Sequence, residues 1–444
     1  MSQLSRRAER HLACAAWIVL ACTAAPVTGA HARQVEPPVG EAQKTAASDL
    51  LKSLADASTA GTLTPARFAS ALLAAGPEET ESCLAFLGEP FQARMEGEVT
   101  TALDRQRIRA ALDGVPGLIV EIATLPQLGP KDRAHAYAVA MEVLAASSIQ
   151  TSVPLLGSLL EAAPARRLSG SVSSGLQKTV ARLAEDPQLS SPQLAGWIRA
   201  GGSTFSAAVV DGAVRAGALM KLVGCLHSTT GAEGVILNRV AGMIQRGAPV
   251  VPEATCAAVL PYLGSQGAFE RREASAVLGM VGDRRHVAAL IEALDDSEHM
   301  VRTSALKALK ALTGMTISGD SGRWKLWYSE QEAWWSAKGS SLIASISSAD
   351  RGELVSVLKE VCTRRLYRRE IAAQLVQLLD RQRPHEVRVA IASLATLRDP
   401  STLEPILQLR EHPNALVRSS VEDAVVAFRH AGIKIARIQP LPAD

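Results

Sequence analysis

Aromatic residues are scarce in this chain. They fill 4% of its 444 positions, while the apolar set as a whole reaches 47%. A core with so few rings is built from Ala and Leu, which favour helices and let them approach closely. Sustained alternation of Val, Ile and Thr is missing as well, so strands and sheet folds are excluded. There are six cysteines, and none forms a CxxC pair, which removes zinc ribbons and thioredoxin-like redox chemistry. Charge of either sign is balanced. The formal net charge is +3, and removing Arg6, Arg7, Arg10 and Glu9 with the N-terminal segment leaves +1. A near-neutral chain has no global field for nucleic acid, which is therefore not an expected partner. Walker A, GxGxxG, GxSxG and HExxH patterns are lacking, and no cofactor, metal or catalytic residue is expected.

What the chain does contain is a repeated helical pattern. In residues 271–314 one helix carries Ala274, Val277, Leu278 and Val281 on a single face. A Gly282-Asp283 turn follows, then a second helix with Val287, Leu290, Ile291 and Leu294. After Asp295-Asp296 the first pattern restarts at Val301-Arg302, with Ala305, Ala308, Leu309 and Leu312. A shift of 116 residues lays Arg272 on Arg388, Ala274 on Ala390, Leu278 on Leu394, Asp283 on Asp399 and Val301-Arg302 on Val417-Arg418. A helix pair that cannot bury its apolar face alone must stack on its neighbours, so the expected fold class is all-α, an α-solenoid of stacked antiparallel helix pairs.

These units resemble HEAT repeats, in particular the short bacterial type written V-R-x-x-A-x-x-A-L, a Gly-Asp turn, then an apolar helix. Val301-Arg302-Thr303-Ser304-Ala305-Leu306-Lys307-Ala308-Leu309 matches every defining position. The resemblance is strong over 271–314, good over 385–430 and loose elsewhere. It implies a fold and a role as a binding surface, and it implies no reaction.

The N-terminus reads as an export signal. A basic stretch (Arg6, Arg7, Arg10) precedes the apolar run Leu12 to Ala25, and Ala30-His31-Ala32 offers a small-x-small cleavage site before Arg33. The expected location is periplasmic or secreted, with membrane contact only if Cys22 is lipidated. Residues 33–47 read as a flexible linker, and 48–130 as an irregular helical capping region. Residues 131–314 read as HEAT-like repeats, 315–340 as a Trp-rich insertion, 341–430 as further repeats and 431–444 as a tail. Cys225 and Cys256 stand 31 residues apart, about one repeat, which leaves either a disulfide or two buried thiols.

Two features are candidate interaction surfaces. Trp324, Trp327, Tyr328, Trp334 and Trp335 fall on one helical stripe, able to dock the insertion onto the array or to stack on sugars or cations. Similar Trp-rich insertions follow the Leu-Thr-Gly end of a repeat in exported bacterial HEAT-repeat proteins, which implies a structural element. Arg364, Arg365, Arg368 and Arg369 lie along what reads as one helix around Leu366, facing either an acidic partner or the Asp and Glu of adjacent repeats. Arg302, Arg388 and Arg418 share a repeat position and are expected to form a ladder with Asp283, Asp296 and Asp399. Gly319-Asp320-Ser321-Gly322 spells a trypsin-like motif, but no His and Asp accompany it, and a helix N-cap explains it better. His385-Glu386 reads as surface chemistry. The functional expectation is a non-enzymatic protein-interaction scaffold of the bacterial envelope, working through the curved solenoid surface. The alternatives are a glycan or polymer binder using the Trp stripe and an enzyme resembling the HEAT-repeat lyases.

Overall fold

The computed structural model describes residues 39–88, 111–162, 171–248, 251–349 and 351–430. The expected signal segment 1–32, with its cleavage site and Cys22, and the tail 431–444 lie outside the described residues. Every regular element among the described residues is helical. The fold is all-α, an α-solenoid build of stacked helix pairs. No helix among those residues is long and apolar enough to cross a membrane. The chain divides into two compact units, one ending at Val235 and the other beginning at Ile236.

The first unit runs through α1 (Val39–Thr59), α2 (Pro65–Ala75), α3 (Pro77–Gly88), α4 (Val115–Ala123), α5 (Pro130–Ala146), α6 (Ile149–Glu161), α7 (Ser171–Glu185), α8 (Ser191–Ala200), α9 (Gly202–Arg215) and α10 (Leu219–Cys225). The odd-numbered helices pack one on the next to make one layer, and the even-numbered helices make the other. This alternation begins at α1. Residues 39–47, expected within a linker, belong to α1. Helix α1 starts at Val39, and its first turns carry Glu41, Ala42, Gln43 and Lys44, which are good helix formers. Thr64 caps α2 as its Thr-Pro sequence implies, accepting a hydrogen bond from the Arg67 amide at 3.2 Å. Helix α5 is flanked on two sides, which is why it buries Val139, Ala140, Val143 and Leu144 together. Polar ties cross between helices: the Tyr137 hydroxyl donates to the Leu159 carbonyl at 3.0 Å, and Trp197 Nε1 donates to the Val153 carbonyl at 3.0 Å.

Helix α11 (Glu233–Gln245) contains the unit boundary. The second unit continues with α12 (Pro252–Val259), α13 (Ala268–Val281), α14 (Val287–Glu292), α15 (His299–Thr313), α16 (Ser321–Trp334), α17 (Ser340–Ser345), α18 (Arg351–Val361), α19 (Arg368–Gln377), α20 (Pro384–Leu397), α21 (Leu403–Leu407) and α22 (Ala415–His430). All thirteen residues assigned to the apolar faces of residues 271–314 are buried. Helices α13 and α15 meet so closely that a Cβ on Gly279 would lie 2.7 Å from Ala308 Cα. Helices α20 and α22 pack in the same way. The second helix of each clear repeat is short, α14 and α21, and each continues into a 3-10 turn at Ala293–Asp295 or Gln408–Glu411.

The expected arginine ladder forms in a different register. Arg302 Nη1 donates to the Asp296 and Ser297 carbonyls, each at 2.7 Å. Arg418 Nη1 does the same to His412 at 2.7 Å and Pro413 at 3.0 Å. Arg271, one repeat before Arg302, reaches the Ser265 and Gln266 carbonyls at 2.9 Å. These side chains therefore satisfy the carbonyls of the turn that leads into their own helix. The link between repeats is Arg271 to Asp296, at 2.7 Å. Arg388 instead donates to Ser420 Oγ at 3.3 Å, and Asp399 accepts from the amide and hydroxyl of Ser401. Glu386 is not surface chemistry: it is 1% exposed and ion-paired with Arg381 at 2.7 Å and Arg383 at 3.1 Å. Cys83, Cys225, Cys256 and Cys362 are free thiols, the first three buried, and no disulfide joins Cys225 to Cys256.

Two substitutions test this packing. Val301→Asp places a charge where the side chain is 0% exposed, and a loss of about 4 kcal/mol or more is expected in denaturant unfolding. Arg398 is the one non-glycine residue with a positive φ (55°) among the described residues, and its side chain is exposed. Arg398→Gly relieves that left-handed strain and is expected to raise stability by about 1 kcal/mol, read as a higher melting temperature.

Candidate interaction site

The Trp-rich insertion begins where Asp320 caps α16, its carboxylate accepting from the Arg323 amide at 3.0 Å. This is the N-cap role expected for the Gly-Asp-Ser-Gly sequence. The aromatic stripe does not stay in one piece. Trp324 is fully buried, donates Nε1 to the Ser318 carbonyl at 2.8 Å and meets Trp327 edge to face at 5.6 Å. At the far end the helix widens into a π-helical stretch, Trp335–Gly339. There Gly339 leaves room for the Trp334 ring, which a Cβ would meet at 2.5 Å. Trp334 is 8% exposed and donates Nε1 to Glu360 at 3.3 Å.

Tyr367 gathers the rest. Its ring stacks on Trp335 at 4.6 Å with an 11° interplanar angle and leans on Trp334 at 5.3 Å. Its hydroxyl donates to the Gln331 carbonyl at 2.7 Å. The turn after α13 adds Arg284, whose guanidinium carbon lies 4.3 Å from the Trp335 centroid and 5.7 Å from that of Tyr367. Arg284 Nε donates to Glu370 Oε1 at 2.7 Å, and Nη1 stands 3.6 Å from Glu332 Oε1. Tyr328 points its hydroxyl at the Arg284 carbonyl, 3.5 Å away. Burial pushes the phenol of Tyr367 well above its usual range, and the carboxylate of Glu332 adds to the shift. The insertion is therefore bolted to the turn after α13 and to the segment leading into α19. Trp324 and Trp334 are buried, and Trp327 and Trp335 are half-buried.

The arginine cluster does not share one helix. Arg364 precedes a 3-10 turn, Arg365–Tyr367, and α19 starts only at Arg368. The break sends the four side chains apart. Arg364 donates to Gln331 Oε1 at 3.1 Å and covers the Trp334 ring at 4.7 Å. Arg368 donates to the Leu312 carbonyl at 2.7 Å, near the C-terminus of α15, and burial lowers its pKa from the free value. Arg369 donates to the Val281 carbonyl at the end of α13 and to Asp283 Oδ2 at 3.2 Å. Cations at helix C-termini satisfy the last carbonyls and favour the helix dipole. Arg365 alone of the four is exposed. Sequence reasoning named the Trp and Arg side chains but missed Arg284, Tyr367, Glu332 and Glu370, which join them. The Gly282-Asp283-Arg284 turn was the available signal, and it was read as a turn alone.

Among the described residues no group of three His, Cys, Asp or Glu is placed to hold a metal ion. Three apolar side chains at one repeat position face outward. Phe269, Met300 and Leu416 are each the second residue of α13, α15 and α22, and they are 39%, 50% and 57% exposed. Arg272 sits beside two of them, 4.8 Å over the Phe269 ring and 3.9 Å from Met300 Sδ.

The turn after α13 also carries a titratable pair. Burial works to raise the Asp283 carboxyl, but hydrogen bonds from His286 and Arg285 hold it far below the usual carboxylate range. Burial works to lower His286, but Asp283 and the Cys256 thiol raise it to about 9. The charged ring donates Nδ1–H to Asp283 Oδ1 at 3.1 Å, and the neutral ring accepts the Asp283 amide at the same distance. Asp283 has the lower pKa when folded, so its contribution holds above about pH 4 and is lost as pH falls below it. His286 has the higher pKa when folded, so its contribution is full below about pH 6.5 and is lost as pH rises toward 9. A melting-temperature profile with a plateau between these limits is expected, and Asp283→Asn is expected to flatten both limbs.

No family model matches the chain, and no curated relative does. One solved structure, a crystal structure described as that of an engineered protein, is similar over 86% of this chain and 99% of its own, at 14% identity and a TM-score of 0.27. The fold assignment rests on the helix packing itself.

Proposed function

We propose that this protein is a non-enzymatic interaction scaffold of the bacterial cell envelope, built from HEAT-like repeats, that binds a protein partner along one edge of its helix pairs. The carrying observation is the row Phe269, Met300 and Leu416. Single exposed apolar residues are ordinary on any surface. Here they recur at one repeat position, 31 and then 116 residues apart, on the same turn of three helices. Repeat arrays bind through side chains presented at equivalent positions on stacked units, and apolar anchors at such positions suit an extended partner. The envelope location is carried by the N-terminal basic and apolar run alone.

The test is a triple variant, Phe269→Glu/Met300→Glu/Leu416→Glu. These side chains are not core, so an unchanged helical circular dichroism spectrum and a melting temperature within a few degrees are expected. Tagged wild type and variant are compared by cross-linking and affinity capture from envelope extract. A protein held by wild type and lost from the folded variant supports the reading, and equal capture by both contradicts it.

A further inference from the structure

Arg284 is an imperfect occupant of its own surroundings. A guanidinium carries five N–H donors in a planar fork, and its best partner is a carboxylate met by two parallel hydrogen bonds. Arg284 comes from the turn ahead of α14 and offers Glu370 only its Nε, at 2.7 Å to Oε1. Glu370 Oε2 is buried and accepts no hydrogen bond. Glu332 Oε1 is likewise buried without a hydrogen bond, and the nearest Arg284 nitrogen is 3.6 Å away. Two carboxylates thus face one guanidinium, beside the Trp335 ring at 4.3 Å. The neighbouring cations do not fill the gap, because Arg364 is spent on Gln331 and Arg369 on Asp283 and Val281. The side chains of Arg284, Glu332 and Glu370 are 24%, 37% and 31% exposed, so the arrangement opens to solvent.

We propose that this aromatic and carboxylate seat is a guanidinium-binding site, filled from its own turn by Arg284, which an arginine side chain of a partner protein enters in exchange. An incoming guanidinium is not tethered to the turn. It can lie on Trp335 and set its fork on Glu370, so that both oxygens of that carboxylate gain donors. Arg284 then swings outward into water, where its charge is solvated. Exchange is favourable only because the resident contact leaves acceptors unmet; a bidentate resident would have nothing to gain from it. The site uses none of the residues in the Phe269, Met300 and Leu416 row, so its failure leaves the scaffold reading untouched.

The test uses the full chain as wild type, Arg284→Ala, and Arg284→Ala/Glu370→Gln. Each is titrated with two probes, ethylguanidinium and N-acetyl-arginine N-methylamide, at concentrations too low to denature. Binding is read by calorimetry and by tryptophan emission. With the resident removed, both probes are expected to bind saturably, about tenfold or more tighter than to wild type, and to raise the melting temperature. The added Glu370→Gln change is expected to weaken binding by about tenfold or more. Absence of saturable binding to folded Arg284→Ala, or binding indifferent to Glu370→Gln, overturns the proposal. Binding of ethylguanidinium without the capped arginine overturns the partner side chain and leaves only a free guanidine. If Arg284→Ala does not fold, Arg284→Lys replaces it, since an ammonium keeps the charge in the turn but cannot supply the fork.

Discussion

The structure depends on helices coming close enough to share a core made of small side chains. With aromatics at 4% of the chain, wide gaps between helices could not be filled, and contact distance becomes the governing variable. Gly279 against Ala308 shows the limit, since even one added carbon would fall 2.7 Å from the neighbouring backbone. Close approach also leaves little room for polar groups, so the polar needs of the backbone are met at the edges. Arg271, Arg302 and Arg418 each turn back to hold the carbonyls of the turn before their helix. The core supplies burial, and these arginines hold the turns that align one pair on the next.

The Trp-rich insertion solves a different problem with different residues. Where the repeat rhythm stops at Gly314, the chain uses large rings to bridge a wider space. Trp324 is tied to Ser318 and Trp327 within the insertion, whereas Trp334 and Trp335 are held by Tyr367 and by cations from two other segments. Arg284, Glu332 and Glu370 link the turn after α13, the insertion helix and the start of α19 through one guanidinium. A single charged group joining three segments is a sensitive place, since moving it affects all three.

Much of this was legible in the sequence, and the reason is periodicity. Ala274, Leu278, Val301, Ala305 and Leu309 recur at helical spacing because they must face a neighbour, and each one is buried. The cap roles of Thr64 and Asp320 were equally plain, because a short polar side chain before a helix has few other uses. What escaped was anything set by contacts distant in sequence. Arg364 to Arg369 read as one helix, but Arg364 leaves helical geometry with ψ 71°, and its neighbours then serve helix ends 50 to 90 residues earlier (Arg368 to Leu312, Arg369 to Val281). Glu386 read as a surface group because its neighbours in sequence are polar, yet Arg381 and Arg383 close over it. The cluster around Arg284 was hidden for the same reason: Arg284 and Glu370 lie 86 residues apart in sequence.

The central claim is that the Trp-rich insertion is an integral part of the second unit, locked in by Tyr367 and Arg284. Native-state hydrogen exchange across residues 268–377 tests it most directly. If the claim holds, amides of α16 exchange with the same opening free energy as those of α13 and α15, and Tyr367→Phe lowers all three together. Exchange of α16 at the rate of an unprotected loop, while α13 and α15 stay protected, would contradict it.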